Sequence, residues 1–320
     1  MLDGYVCGYK NRYQNFIRYL RELGDEVLVV TTNLGSSHGE QCLMDYLEIK
    51  QVFGALVIAK ILSVPMVMVY HTHVPMYIPK YTSSWLVTPM WLVIKFLHRA
   101  ADLTLVMSHA LGKEMNAAGA STAEKIHIWQ KGVDSDSFHP RFKSQEMRNH
   151  LMVMGRIPHI RLAFVVMDLS GELSCVFFTL VDIQGMNVTF TGMLQGEELS
   201  QAYASADIFI TPSESETLGF VVLEAMASGV SVVAARAGGI PDIVTQDGET
   251  GFLYTPGDLD DCLSKIMALL ESSELQQKIG AAGVNVNYAN IIHKTLCMIQ
   301  RCNLNTDAFG WQERRTLDLQ

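Results

Sequence analysis

The sequence predicts an α/β protein with two Rossmann-like, doubly wound domains that face a cleft. Apolar runs typical of buried strands alternate with segments of helical periodicity in two series along the chain. With 320 residues, of which 49% are hydrophobic, the chain can also bury two ordinary cores. Because open α/β sheets bind ligands at the carboxyl ends of their strands, we expect a site where two such ends face each other.

The first series of elements begins with a helix at residues 15–23, where apolar positions recur at helical spacing. Gly24 and Asp25 end this helix, and the apolar run at residues 26–32 predicts a buried strand. The same alternation then predicts helix 52–62, strand 66–70, helix 85–99, strand 103–107 and helix 110–118. This order of elements is typical of a parallel sheet covered by helices.

The second series begins with a strand that starts at Arg161. After it, the pattern predicts strand 188–190, helix 197–205, strand 207–211, helix 219–228, strand 230–235 and helix 258–270. A polar, turn-rich segment at residues 134–143 suits a linker between the two series. We therefore expect an N-terminal domain at residues 1–150, a C-terminal domain at 151–285 and a tail at 286–320.

The bulk properties of the chain argue against several function classes. A net charge of -9 and a pI near 5.6 disfavour a nucleic-acid partner, because such proteins usually carry a basic face. The six cysteines form no Cys-x-x-Cys pair, which favours reduced thiols. No signal core or transit segment is recognisable at the N-terminus.

One apolar stretch, at residues 85–97, bears on membranes. It is shorter than the roughly 20 residues that a spanning helix needs, so we predict no transmembrane helix. Its aromatic and apolar side chains suit contact with a bilayer interface, although most such stripes belong to a protein core.

The segment from Thr211 to Gly229 is the most informative for chemistry. A polar loop containing Glu216 follows a predicted strand, and a helix that contains Glu224 opens near residue 219. Backbone N–H groups at a helix start, together with the helix dipole, favour the diphosphate of a nucleotide sugar. Eight helical residues span about 12 Å, which is comparable to the distance from sugar ring to ribose across a diphosphate. The candidate donor-binding residues at this helix start are Thr217, Leu218 and Gly219.

Glu216, seven intervening residues and Glu224 match the Glu-x7-Glu motif of family 4 glycosyltransferases. The sequence Gly-Gly-Ile-Pro-Asp at residues 238–242 resembles the same family. For an isolated pair of glutamates, Glu224 would be a solvated or capping helix residue, but the surrounding match favours the functional interpretation. The resemblance implies a retaining enzyme of the GT-B fold, in which Glu216 is a catalytic residue that contacts the transferred sugar and Glu224 holds the ribose hydroxyls.

Two further segments resemble the sulfoquinovosyltransferase branch of this family, found in plants and cyanobacteria. The first is Tyr-His-Thr-His-Val-Pro at residues 70–75, and the family histidine that matches His71 approaches the donor sugar as a catalytic residue. We expect His73 to be an ordinary loop histidine. The second is the loop at Gly8, where a glycine lets the backbone approach the donor phosphate.

The resemblance implies a function for the whole chain. It implies transfer of sulfoquinovose from UDP-sulfoquinovose to diacylglycerol at a membrane surface, in sulfolipid biosynthesis. The resemblance also implies that no cofactor and no metal ion are required, with the UDP-sugar as donor substrate. A chloroplast, membrane-associated location follows from the same resemblance. Another hexose donor or another acceptor remains open, because one sequence indicates the fold more firmly than the sugar.

The chain also departs from the family pattern. Gly155-Arg156-Ile157 resembles the Gly-Arg of the donor site, where Arg156 is implied as a catalytic residue that neutralises the departing diphosphate. The lysine expected shortly after it is absent, and losing one cation from such a clamp weakens stabilisation of the transition state. The strand before Gly8 and the usual pattern at residues 33–51 are missing too, which indicates internal deletions and an incomplete N-terminal sheet. A catalytically inactive, UDP-sugar-binding remnant is therefore the alternative hypothesis.

Overall fold

The computed structural model describes residues 52–63, 65–129, 133, 135–151, 153–154, 161–162, 194–213 and 216–285. These residues belong to two compact units. The first unit contains the described residues from 52 to 129, and the second contains those from 133 to 285. The predictions for helix 15–23, strand 26–32, strand 188–190, the missing pattern at 33–51 and the tail at 286–320 lie outside the described residues.

The first unit is a three-stranded parallel sheet with helices packed on it. Its elements are α1 (52–61), β1 (Val67–Tyr70), α2 (Val74–Tyr81), α3 (Val87–Ala100), β2 (Leu103–Val106), α4 (His109–Ala117) and β3 (Ile126–Ile128). The strand order is β1-β2-β3, and Val67 of β1 pairs with Leu103 of β2. Every residue of β2 is buried, as expected for a strand covered on both faces.

Most of the predicted elements of this unit are confirmed, but α2 was not predicted. The segment that follows Tyr70 reads as a loop because it contains two prolines. Pro75 lies in the first turn of α2, where its missing N–H group costs nothing, while Pro79 lies inside the helix. The penalty of Pro79 is accommodated because α2 is only 8 residues long and packs against α3. The predicted helix 85–99 begins as a 3₁₀ turn at Ser84–Leu86 before α3.

The second unit contains another three-stranded parallel sheet. Its elements are α5 (Gln145–Leu151), β4 (Val153–Met154), β5 (Arg161–Leu162), α6 (Gly196–Ser205), β6 (Ile208–Thr211), α7 (Phe220–Ala227), β7 (Ser231–Ala235), β8 (Phe252–Tyr254), α8 (Leu259–Glu271) and α9 (Ser273–Val284). The order β6-β7-β8 places β7 between its two neighbours, and β7 is buried throughout. Helices α8 and α9 contribute Ile266, Leu269 and Ile279 to the core beside β7.

One strand pair differs from the predicted parallel pattern. The strand that begins at Arg161 pairs with β4 in antiparallel register, with Met154 opposite Arg161. A parallel pair needs a crossover of about a dozen residues or more, and the connection at residues 155–160 is too short to provide one.

The division between the units lies before residue 131, ahead of the boundary at residue 150 that the sequence predicts. The reason is visible in α5, which is bonded to the second unit. The backbone N–H of Ser144 donates to Ser205 Oγ, and Ser205 Oγ donates back to the carbonyl of Ser144. Arg148 donates to both carboxylate oxygens of Asp207, at 2.7 and 3.0 Å.

The described helices were also compared with the requirements of a membrane span. Within the ranges that the structure describes, every helix falls short of the length and apolar character needed to cross a bilayer.

Candidate functional site

The segment with the two glutamates lies at the carboxyl edge of the second unit's sheet. Strand β6 ends at Thr211, and α7 begins at Phe220 after a loop that contains Glu216. Because β6 and β7 are parallel, the segment that follows β7 emerges at the same edge. The helical part of the motif therefore begins four residues after Glu216, and the estimate of 12 Å from a continuous helix does not apply to the whole interval.

A diglycine turn after β7 supports the loop through backbone atoms. Gly238 has φ +56°, and a Cβ at this position would overlap the carbonyl oxygen of Glu216. The N–H of Gly239 donates to that same carbonyl oxygen at 3.0 Å. A Cβ on Gly239 would lie 2.6 Å from the carbonyl oxygen of Thr217. Only glycines permit this approach, so the turn fixes the position of the loop.

The start of α7 is shaped by another glycine. Gly219 is the N-cap and has φ +96°, a left-handed conformation that residues with side chains rarely adopt. Leu218 beside it is buried, and Thr217 is half-buried. The predicted donor-binding residues Thr217, Leu218 and Gly219 therefore lie together at the entrance of α7. No acidic side chain lies in the first turn of α7, which leaves the positive end of its dipole available to an anion.

Glu224 lies one turn into α7 with a half-buried side chain. The hydroxyl of Tyr203 donates a hydrogen bond of 3.0 Å to its Oε2. Burial raises the pKa of Glu224 from 4.5 to about 7, although the Tyr203 bond opposes the shift. The carboxyl is therefore poised to gain or lose a proton near neutral pH, which an ordinary surface glutamate is not.

Tyr203 is a site residue that sequence reasoning missed. It lies on α6, it is fully buried, and its ring packs against the rings of Phe138 and Phe209. Burial and the charge of Glu224 raise the pKa of Tyr203, so its hydroxyl stays protonated and remains a donor. Its only signal in the sequence is an aromatic residue among small ones, Ala-Tyr-Ala-Ser-Ala at 202–206. That pattern indicates close packing and carries no indication of the partner on α7.

His71 lies in the first unit, just after β1. It is half-buried, and its Nδ1 lies 3.0 Å from Oγ1 of the adjacent Thr72. This places it at the carboxyl edge of a parallel sheet, where the sequence predicted it. The structure brings the predicted residues of α7 together with one another, and His71 belongs to the other unit.

His73 is held by two partners, which agrees with its interpretation as an ordinary residue. The Tyr70 hydroxyl lies 3.1 Å from its Nδ1, and Glu114 Oε1 lies 3.0 Å from its Nε2. A neutral imidazole satisfies both contacts, because Tyr70 can donate to Nδ1 while Nε2–H donates to Glu114. These contacts tie the segment after β1 to α4. Behind them, burial lowers the pKa of His98 to about 4, so this histidine is uncharged.

Two predicted site residues, Gly8 and Arg156, lie outside the described residues, as does the position where the lysine is missing. Within the described ranges, no three side chains of His, Cys, Asp and Glu are grouped as ligands for a metal ion.

Two protein-family models match the chain, and their limits follow the two units. Glycosyltransferase Family 4 matches residues 48–137, and Glycosyl transferases group 1 matches residues 141–286. The second match contains the whole segment from Glu216 to Glu224 and the diglycine turn.

Curated relatives agree with these matches. The chain is 50% identical to sulfoquinovosyl transferase SQD2 of Arabidopsis thaliana, over 87% of this chain and 66% of that protein. It is 32% identical to a GDP-mannose-dependent alpha-mannosyltransferase of Mycobacterium tuberculosis, over 68% of this chain and 61% of that protein. The chain thus spans less than two thirds of the length of either relative. The alignment with the Arabidopsis protein covers 344 residues although the chain has 320, so that relative contains segments that this chain lacks.

Solved structures share the fold. WaaG, a glycosyltransferase involved in lipopolysaccharide biosynthesis, superimposes with a TM-score of 0.63 over 92% of this chain and 97% of its own, at 13% identity. Anabaena HepE, solved in complex with UDP, gives a TM-score of 0.60 over 79% of this chain and 77% of its own, at 22% identity. The predicted GT-B type α/β fold is confirmed, and the chain belongs to family 4 of the glycosyltransferases.

Proposed function

We propose that the chain is a retaining glycosyltransferase that moves sulfoquinovose from UDP-sulfoquinovose to diacylglycerol. The observation that carries the proposal is the supported loop and helix from Glu216 to Glu224, in a chain that is 50% identical to a sulfoquinovosyl transferase. A loop and helix start held in this way suit the binding of a nucleotide-sugar diphosphate.

The candidate site residues that the structure describes in the second unit each have a role in this proposal. Glu224 accepts hydrogen bonds from the ribose hydroxyls, and Tyr203 holds its carboxylate in place. The start of α7, with Gly219 as its N-cap, faces the diphosphate, and the helix dipole favours that negative charge. Glu216, fixed by the diglycine turn, orders the transferred sugar.

The remaining roles fall on residues whose place relative to the donor follows from the family. His71 orders the sugar from the first unit, and Arg156 neutralises the departing diphosphate. The Gly8 loop approaches the donor phosphate. The reaction requires no metal ion and no cofactor, because these protein groups supply the charge stabilisation.

A binding remnant without activity is the second candidate, and a sequence observation favours it. No lysine occurs between Lys143 and Lys265, and the first cation after Arg156 is Arg161, at the start of β5. A change of donor within the family is also supported, since a mycobacterial relative at 32% identity is GDP-mannose-dependent.

The first test is the thermal stability of the chain with and without UDP, followed by transfer from UDP-sulfoquinovose to diacylglycerol. GDP-mannose and UDP-glucose serve as competing donors. We expect UDP to stabilise the protein, and Glu224→Ala to reduce UDP affinity about tenfold, because hydrogen bonds to a charged group are lost. Stabilisation without transfer from any donor would support the binding remnant. A lack of stabilisation by UDP would contradict the site assignment.

The affinity for UDP is expected to rise with pH and to level off above about pH 7. The ribose hydroxyls donate to an ionised carboxylate, and in the free protein Glu224 takes up a proton as the pH falls through about 7. Below that pH, the affinity falls towards that of Glu224→Ala, by about tenfold in total. Isothermal titration calorimetry across this range measures the effect.

Two variants isolate the contribution of Glu224 to this pH dependence. Glu224→Gln should flatten the profile. The titration of UDP itself remains, and the wild type and both variants share it. Tyr203→Phe removes a bond that lowers the pKa, so the rise should move to higher pH. An unshifted profile in Tyr203→Phe would show that Tyr203 only fills space.

We further propose that the protein acts at a chloroplast membrane, in keeping with its similarity to a plant enzyme. Fractionation of chloroplasts with an antibody to the chain tests this location. Recovery outside the organelle would exclude it.

A further inference from the structure

The first unit carries a group of apolar side chains that face solvent. Ile61 is 75% exposed, Trp85 69% and Leu92 63%, and Phe96 is exposed as well. On α3, the apolar side chains that enter the core are Ile94 and Leu97. Residues 85–97 are therefore only partly a core stripe, because α3 is apolar on both faces.

The exposed side chains of α1 and α3 meet in one surface. Leu92 and Phe96 are one turn apart on α3, and the Phe96 ring stacks on Phe53 of α1 at 5.2 Å. Val57 and Ile61 follow Phe53 along the same side of α1 at spacings of four residues. We call Phe53, Val57, Ile61, Leu92 and Phe96, together with Trp85 in the 3₁₀ turn that leads into α3, the apolar face.

The stretch of sequence that carries this face is opposite in net charge to the whole protein. Residues 52–101 contain no aspartate and no glutamate, whereas the chain has 33 acidic residues and a net charge of -9. The same stretch contains four cationic residues: Lys60, Lys80, Lys95 and Arg99. The side chain of Arg99 is exposed at the end of α3 and donates to the carbonyl of Gly119. Lys60 lies 3.6 Å from Asp102, which borders the stretch.

We propose that the apolar face is the docking surface of this protein on an anionic lipid bilayer. Aromatic and aliphatic side chains on short helices enter the acyl boundary, and nearby lysine and arginine side chains pair with negative headgroups. Both groups are needed. Exposed apolar side chains alone give marginal, reversible membrane binding. Attraction between charges alone is screened by salt. The proposal deepens the proposed function, because a docked first unit would take its acceptor lipid from the bilayer.

A bilayer explains these features better than a second copy of the chain. A symmetric dimer buries the same patch of both subunits, so it would bring together two copies of this positively charged stretch. The net positive charge of residues 52–101 would repel such a copy and attract a negative surface.

The test is binding of the full chain to phospholipid vesicles, measured by sedimentation without any donor. We expect binding to vesicles that contain phosphatidylglycerol in phosphatidylcholine, about tenfold weaker binding to phosphatidylcholine alone, and further weakening when salt is raised. Trp85→Ser combined with Leu92→Ser should weaken binding to the anionic vesicles about tenfold, because two large apolar side chains are lost. The matched control is Leu259→Ser with Met267→Ser, which removes exposed apolar side chains from α8 of the second unit and should have no effect.

Trp85 also provides a spectroscopic readout. Its emission should shift to shorter wavelength when anionic vesicles are added, and the shift should be largely lost in Trp85→Phe, which preserves apolar character. Equal binding of the Trp85/Leu92 variant and the wild type, or equal binding to neutral and anionic vesicles, would overturn the proposal. Dimerisation of the wild type without vesicles, if it were lost in the Trp85/Leu92 variant, would also overturn the proposal. Vesicle binding is measured without a donor, so its failure is distinguishable from failure of sugar transfer. Transfer is measured separately, with diacylglycerol solubilised in detergent.

Discussion

Substitution of Gly238 by alanine is expected to reduce sugar transfer about a hundredfold or more, because the loop that holds Glu216 must move. The new Cβ would overlap the carbonyl oxygen of Glu216, and this atom belongs to the backbone and cannot rotate away. The φ of +56° adds a further cost of about 1–2 kcal/mol for a residue with a side chain. Steady-state kinetics measure the loss of sugar transfer, and titration with UDP measures the change in donor-site affinity.

Gly196→Ala is the matched control for Gly238→Ala. Gly196 has a φ of +55°, nearly the same as Gly238, but a Cβ there would have nothing within 4 Å. This variant should therefore show the backbone cost alone, as a small loss of stability with normal UDP affinity. Similar activity losses in both variants would mean that backbone strain, and not contact with the Glu216 loop, accounts for the Gly238 effect.

Substitution of Arg148 by alanine is expected to destabilise the second unit by about 2–4 kcal/mol. Arg148 bonds both oxygens of Asp207 and the carbonyl of Ser205, and the Arg148 and Asp207 side chains are only 19% and 18% exposed. Removing one member leaves a largely buried charge without its partner, which costs more than the pair itself contributes. Hydrogen exchange should show faster exchange of α6 and β6 amides and little change in the first unit.

The control for this prediction lies on the same helix. Gln145 is exposed and bonds only Asn149 among the bonds found for its side chain in the described structure, so Gln145→Ala should exchange like the wild type. If Arg148→Ala also left α6 and β6 protected, the attachment of α5 would not contribute to the stability of this unit.

Local patterns were enough to predict most of the elements. Buried strands such as β2 and β7 are uniformly apolar or small, and their neighbouring helices show clear periodicity, so their boundaries were predicted to within two residues. Elements of three residues, β3 and β8, are too short to show a period. The prolines of α2 point away from a helix, and only packing on α3 reverses that preference.

The site was predictable to the same extent. Spacing located Glu216 and Glu224, because both belong to one continuous segment. The contact of Tyr203 with Glu224 joins residues on two different helices, and no local pattern encodes that meeting. The raised pKa of Glu224 was likewise out of reach, since burial is a property of the folded chain.

The diglycine turn has a consequence for how this fold diverges. The loop at the end of β6 is supported through carbonyl and amide atoms of residues 216–218, and these atoms are present whatever the side chains are. Side chains of the loop can therefore change over evolutionary time without loss of their support. Such a separation of scaffold from specificity allows new donor preferences to arise by single substitutions, and it accords with relatives named for different sugars.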